Sequence, residues 1–153
     1  MKKLTPFLIS CVLVLGTAAC QDTSKTTQTA PNTTEENAQT PSVEATQAAQ
    51  QDAQSDLRRR QLNSDIRARE NRNNVTGGDT QRAEGDLASE VRSKLEANIP
   101  NGQLTVNAED NGTVTVGGTV NNQAQLAKIE PLAKEIKGVK TVVVKATVNP
   151  PKS

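Results

Sequence analysis

The 153-residue chain has no His, no Trp and no Tyr, and its single Phe, Phe7, lies near the start. Without His there is no Ser-His-Asp catalysis, no imidazole acid–base chemistry and no His metal ligation. Without a set of aromatic rings there is no platform on which single-stranded nucleic acid can stack. Cysteine is equally scarce, with Cys11 and Cys20 alone, and the formal net charge is only +1. These absences point away from an enzyme.

Both cysteines fall in the first twenty residues, MKKLTPFLISCVLVLGTAAC. Lys2 and Lys3 form a basic start, Phe7 to Leu15 form an apolar run, and Gly16-Thr17-Ala18-Ala19 supply small residues before a cleavage point. The run is shorter than the roughly 20 residues a membrane-spanning helix needs. It is an export signal. Thr17-Ala18-Ala19-Cys20 resembles the lipobox of bacterial lipoproteins, with Thr17 where Leu is usual. That resemblance implies removal of residues 1–19 and acylation of Cys20, whose several chains anchor stably where one would not. The alternative is ordinary cleavage near Ala19, leaving a soluble protein with one thiol. Cys11 leaves with the signal in either case, so the mature chain has no disulfide pair. Asp does not directly follow Cys20, which favours the outer over the inner membrane in hosts that use that retention rule.

Charge divides the remainder in three. Residues 21–55 carry Asp22, Glu35, Glu36, Glu44 and Asp52 against Lys25, and Val43 is their only large aliphatic residue. Such a stretch cannot offset its ordering entropy by burying apolar surface, so residues 20–55 are expected to be a disordered acidic tether. Its reach would be about 30 Å on random-coil scaling. Residues 56–85 hold Arg58, Arg59, Arg60, Arg67, Arg69, Arg72 and Arg82. Leu57, Leu62 and Ile66 permit a short solvated helix from Asp56 to Arg72, ended by the asparagines that follow and by Gly77-Gly78. This Arg-rich linker is read either as a contact for anionic headgroups or as a solvated charged spacer.

Residues 86–153 contain 18 Leu, Ile and Val, and so hold the core. Leu87, Val91, Leu95 and Ile99 recur every four residues, with Asp86 as N-cap and Pro100-Asn101-Gly102 as the stop. Leu104, Val106 and Ala108 alternate as a strand. Asn111-Gly112 turns the chain, both positions tolerating positive φ, and Val114, Val116, Gly118 and Val120 return. A second helix, capped by Asn121 or Asn122, presents Leu126, Ile129, Ala133 and Ile136, with a kink or break expected at Glu130 because of Pro131, and Gly138 as its C-cap. A last strand, Thr141 to Val148, turns Val142, Val144, Ala146 and Val148 one way. The fold class is therefore α+β, in the order α-β-β-α-β, with a three-stranded sheet and two helices on one face. The other face, with Thr105, Asn107, Thr113, Thr115, Thr119, Lys145 and Thr147, would meet water or a flat partner.

Gly112-x-Val114-x-Val116-x-Gly118-x-Val120, followed by Ile136-x-Gly138-Val139-x-x-Val142, resembles the BON domain and covers about residues 86–150. The pattern departs from the family's at Val144 and Ala146, where Asn and Leu are frequent. The resemblance implies a single-copy, non-enzymatic module of the bacterial envelope, facing the periplasm, that contacts phospholipid and supports envelope integrity under osmotic stress, without a cofactor. The alternative is a periplasmic protein-interaction or scaffolding module, with Val139 and Val143 as its spare aliphatic residues. Gly118 matches the family's hallmark glycine, read either as close backbone approach to a ligand or as relief for packing and a strand bulge. Candidate membrane contacts are Arg58, Arg59, Arg60, Arg67 and Arg69, with Lys128, Lys134, Lys137 and Lys140 around the second helix; Cys20 is the candidate lipid attachment. Glu109 and Asp110 are adjacent, but at a turn where nothing excludes water. No metal cluster, P-loop or nucleic-acid clamp is legible, and neither a nucleic acid nor a small-molecule substrate is expected as partner.

Overall fold

The computed structural model describes residues 23–36, 39–76 and 84–152. The helix expected from Leu87 onward is α3, Glu84–Asn98. It buries Leu87, Val91 and Leu95, with Ile99 buried just beyond its end, because residues four apart share a helix face. It begins two residues before Asp86, which therefore lies in the first turn instead of capping it. A carboxylate is favourable there, near the positive end of the helix dipole.

Strands β2, Gln103–Ala108, and β3, Thr113–Val120, pair antiparallel with Val106 opposite Val116. Their turn takes four residues: Glu109 N–H donates to the Thr113 carbonyl and Gly112 N–H to the Glu109 carbonyl, each at 2.9 Å. Gly112 alone adopts positive φ, +82°, while Asn111 stays in the ordinary region and accepts from Thr113 N–H at 2.7 Å. The turn is thus longer than the two-residue form that the Asn-Gly pair suggests.

Helix α4, Gln123–Lys134, is capped by the Asn122 side chain, which accepts from Gln125 N–H. It runs continuously through Pro131, so of the kink or break expected at Glu130 the break does not occur. Proline inside a helix costs about 3 kcal/mol, but Ile129, Ala133 and the following Ile136 are buried. Each full burial of an Ile is worth about 1.5–3 kcal/mol, so packing outweighs the lost bond. Gly138 comes a further turn after the helix end and does not cap it.

The last strand is two pieces, β4 Thr141–Val144 and β5 Thr147–Val148, both parallel to β3. The amides of Lys145 and Ala146 both reach the Val116 carbonyl, at 2.8 and 3.1 Å, and this doubling breaks the expected single strand. Val142 and Ala146 join the core, whereas Val144 and Val148 stay 37 % exposed because they lie on the sheet edge. Helices α3 and α4 cover one face of a mixed sheet, as the α+β reading expects.

The sheet has more strands than three because the stretch expected to be a tether supplies one. β1, Ser24–Lys25, pairs antiparallel with β2 at Val106 and Thr105. Residues 26–36 then pass over the polar face, and Thr105 and Thr119 on it are buried. The chain continues into α1, Val43–Gln54, which Ser42 caps by accepting from Ala45 N–H. The disorder expected for these described residues rests on their poverty in apolar side chains. What orders them is backbone pairing to an open strand edge and hydrogen bonding to a polar face, which composition does not register.

Helix α2, Asp56–Thr76, is longer than the span expected to end at Arg72 and packs on α3 and α1. Leu62 is its fully buried anchor, while Leu57 is exposed.

Candidate functional surface

The arginines of α2 divide by helix face. Arg58 makes a forked contact with Glu96 of α3, Nε to Oε1 at 2.6 Å and a second guanidinium nitrogen to Oε2 at 3.0 Å. Glu96 is only 4 % exposed and also accepts from Arg92, one turn earlier, at 3.0 Å. The hydrogen bonds to Glu96 raise the pKa of Arg58 above its ordinary value, against the opposing effect of burial. Arg69 pairs with Asp86, and Arg72 lies 3.4 Å from the same carboxylate. Arg58 and Arg69 therefore staple α2 to α3. Arg59, Arg60 and Arg67 are exposed, Arg67 donating to the Asn63 carbonyl at 3.2 Å.

The lysines of the second helix region are all exposed. Lys134 pairs with Glu130 at 2.7 Å, one turn away on the same helix. Lys94 of α3 reaches Glu135 at 2.6 Å. The arginines lie on α2, whereas Lys128 and Lys134 lie on α4 and Lys137 and Lys140 follow it. Val139 packs against the core and Val143 is exposed beside Val144. Glu109 and Asp110 are exposed on the hairpin. Cys20, Gly77, Gly78 and Arg82 lie outside the described residues.

Gly118 has φ +107°, and a Cβ there would fall 2.1 Å from the carbonyl oxygen of Gln103 on the neighbouring strand. The required absence of a side chain is set by the strand pair itself. Gly117 is different: a Cβ there would meet the backbone of Thr34 at 2.7 Å.

A family model, the BON domain, matches residues 83–150. The chain carries a BON domain over those residues. No curated protein and no solved structure matches the chain significantly.

The BON domain thus comprises α3 through β5, with Gly118 in its central strand. BON domains are non-catalytic binding modules associated with the bacterial envelope and with phospholipid membranes in general. Of the basic candidates, the lysines lie within the BON domain and the described arginines precede it on α2. Among the described residues no three His, Cys, Asp or Glu are grouped to hold a metal, and no helix is long and apolar enough to cross a membrane. The buried role of Glu96 was missed by sequence reasoning. The Arg92-to-Glu96 spacing of one helical turn was its only available signal.

Proposed function

We propose that the protein is a lipoprotein of the bacterial envelope, anchored by acylated Cys20 and facing the periplasm, with the outer membrane favoured. Its BON domain contacts the phospholipid surface and supports envelope integrity in osmotic stress, without enzymatic chemistry. The match of residues 83–150 to the BON family carries the membrane-contact part of this reading, and the anchor rests on Thr17-Ala18-Ala19-Cys20 alone. The exposed Arg59, Arg60 and Arg67 with Lys128, Lys137 and Lys140 support an electrostatic contact. Each basic residue near an anionic surface is worth about 1 kcal/mol, and the contact should weaken with salt.

The test is flotation of the non-acylated mature chain with vesicles of phosphatidylglycerol and phosphatidylethanolamine at low salt. Association that falls with added salt supports lipid contact by the protein surface. Failure to float sinks it, whatever the state of Cys20. A second reading, a protein-interaction module, is favoured by Val143, Val144 and Val148, which are exposed together on the β4–β5 edge. Envelope crosslinking that links this edge to a protein, with no flotation, would decide for it.

A further inference from the structure

Residues 26–36 cross the polar face of the sheet from one edge to the other. At the β2 edge Thr26 N–H donates to the Leu104 carbonyl at 2.8 Å, and Leu104 N–H donates back to Thr26 Oγ1 at 2.9 Å. Over β2, Thr105 Oγ1 donates to the Pro31 carbonyl. Over β3, the Thr34 backbone occupies the space that a side chain on Gly117 would need. At the far side Glu35 pairs with Lys145. The path turns twice, where Ala30 N–H donates to the Thr27 carbonyl at 3.3 Å and Glu36 N–H to the Thr33 carbonyl at 3.4 Å, and its threonines and Ala30 lie in a slot on the sheet.

The attachment is mostly polar and partly incomplete. Ala30 and Pro31 are its buried apolar residues, beside the buried Thr26 and Thr34, and the Glu35–Lys145 pair is exposed. Beneath it the Gln103 amide nitrogen has no hydrogen-bond partner among the described residues and borders a cleft of about 360 Å³ lined also by Thr29, Thr40 and Ser42. The Leu, Ile and Val core lies on the opposite face, under α3 and α4, so uncovering leaves it intact.

We propose that this sheet face is a docking surface for a turn-containing polypeptide segment rich in threonine and other small residues. Residues 26–36 occupy it in cis as a displaceable strap. The slot over Gly117 admits a backbone and excludes a bulky intervening group, which selects a chain of that kind. The strap opens as a unit separate from the BON core, as weakly packed segments do. This inference does not depend on Cys20 or on lipid contact.

Native-state hydrogen exchange of the full chain under increasing urea is the first test. The strap should lose protection at lower urea than β2 and β3, exchanging at least tenfold faster; opening only together with the core overturns displaceability. The second test uses Ala30→Asp, which burdens the strap with a charge and leaves the face unchanged. The full-length A30D variant should bind a fluorescent peptide of residues 23–36 while the wild type binds far less, its face being filled. Adding Gly117→Val to A30D should abolish binding. A folded A30D that ignores the peptide, or one that binds it equally with Gly117→Val, overturns the docking surface; if A30D loses its core protection, the wild-type exchange result decides alone.

Discussion

At the scale of single residues, adjacent arginines with identical chemistry do different work. Successive residues on a helix point about 100° apart, so Arg58 turns to Glu96 while Arg59 and Arg60 turn to solvent. Hydrogen bonds to charged groups are worth about 1.5–3 kcal/mol, so Arg58→Ala should lower stability by about that amount in urea unfolding, with vesicle association unchanged. Arg59→Ala with Arg60→Ala should do the reverse, weakening association at nearly constant stability; equal effects of both variants on flotation would refute the division. Gly118 makes the sharper case. A non-glycine residue at positive φ costs about 1–2 kcal/mol, and overpacking a further 1–3 kcal/mol. With a Cβ only 2.1 Å from the Gln103 oxygen, Gly118→Ala should lose about 2–5 kcal/mol of stability, read as a lower urea midpoint. The glycine pattern made Gly118 conspicuous in the sequence, but not whether a ligand, a helix or a neighbouring strand needs the space. That depends on register, which pairs Gly118 with Leu104.

Among the elements, legibility followed the source of stabilisation. α3, β2 and β3 bury their own periodic apolar faces, so the four-residue and two-residue spacings marked them in the sequence. β1 and residues 26–36 bury no large aliphatic side chain and are held by the backbone and hydroxyls of β2 and β3, so no periodicity announces them. β4 and β5 stand between these cases: the alternating valines indicated a strand, but not the doubling at Val116 that divides it. Helix α2 shows the same limit in another form. Leu62, Arg58 and Arg69 fix it to α3, yet only the apolar one of the three contributes to a hydrophobic stripe. Leu→Ala in a buried site costs about 2–5 kcal/mol. Leu62→Ala should therefore undock α2, seen as faster amide exchange across Asp56–Thr76 while β2 and β3 keep their protection. Uniform loss of protection through the sheet would instead make α2 part of the BON core.

For the whole molecule, the proposed anchor at Cys20 and the proposed strap would act on one another through chain length. With β1 paired to β2, Ser24 is held against Val106 on the sheet, four residues after Cys20. Four extended residues span at most about 14 Å, so an acylated Cys20 would hold the strapped domain close to the bilayer. The tether reach of about 30 Å expected from random-coil scaling applies only when the segment is free. Releasing the strap and the residues up to α1 would leave roughly 22 residues between anchor and domain, with a mean reach of about 26 Å. A chain cleaved before Cys20 and acylated there would have no other thiol, so Lys128→Cys would place a single dye on exposed α4. In vesicles carrying an acceptor lipid, energy transfer should be strong for the strapped protein and fall when Ala30→Asp is added. Equal transfer in the two would show that the strap does not set the height of the domain. A Cys20→Ala chain recovered wholly in the membrane fraction would remove the lipid anchor itself.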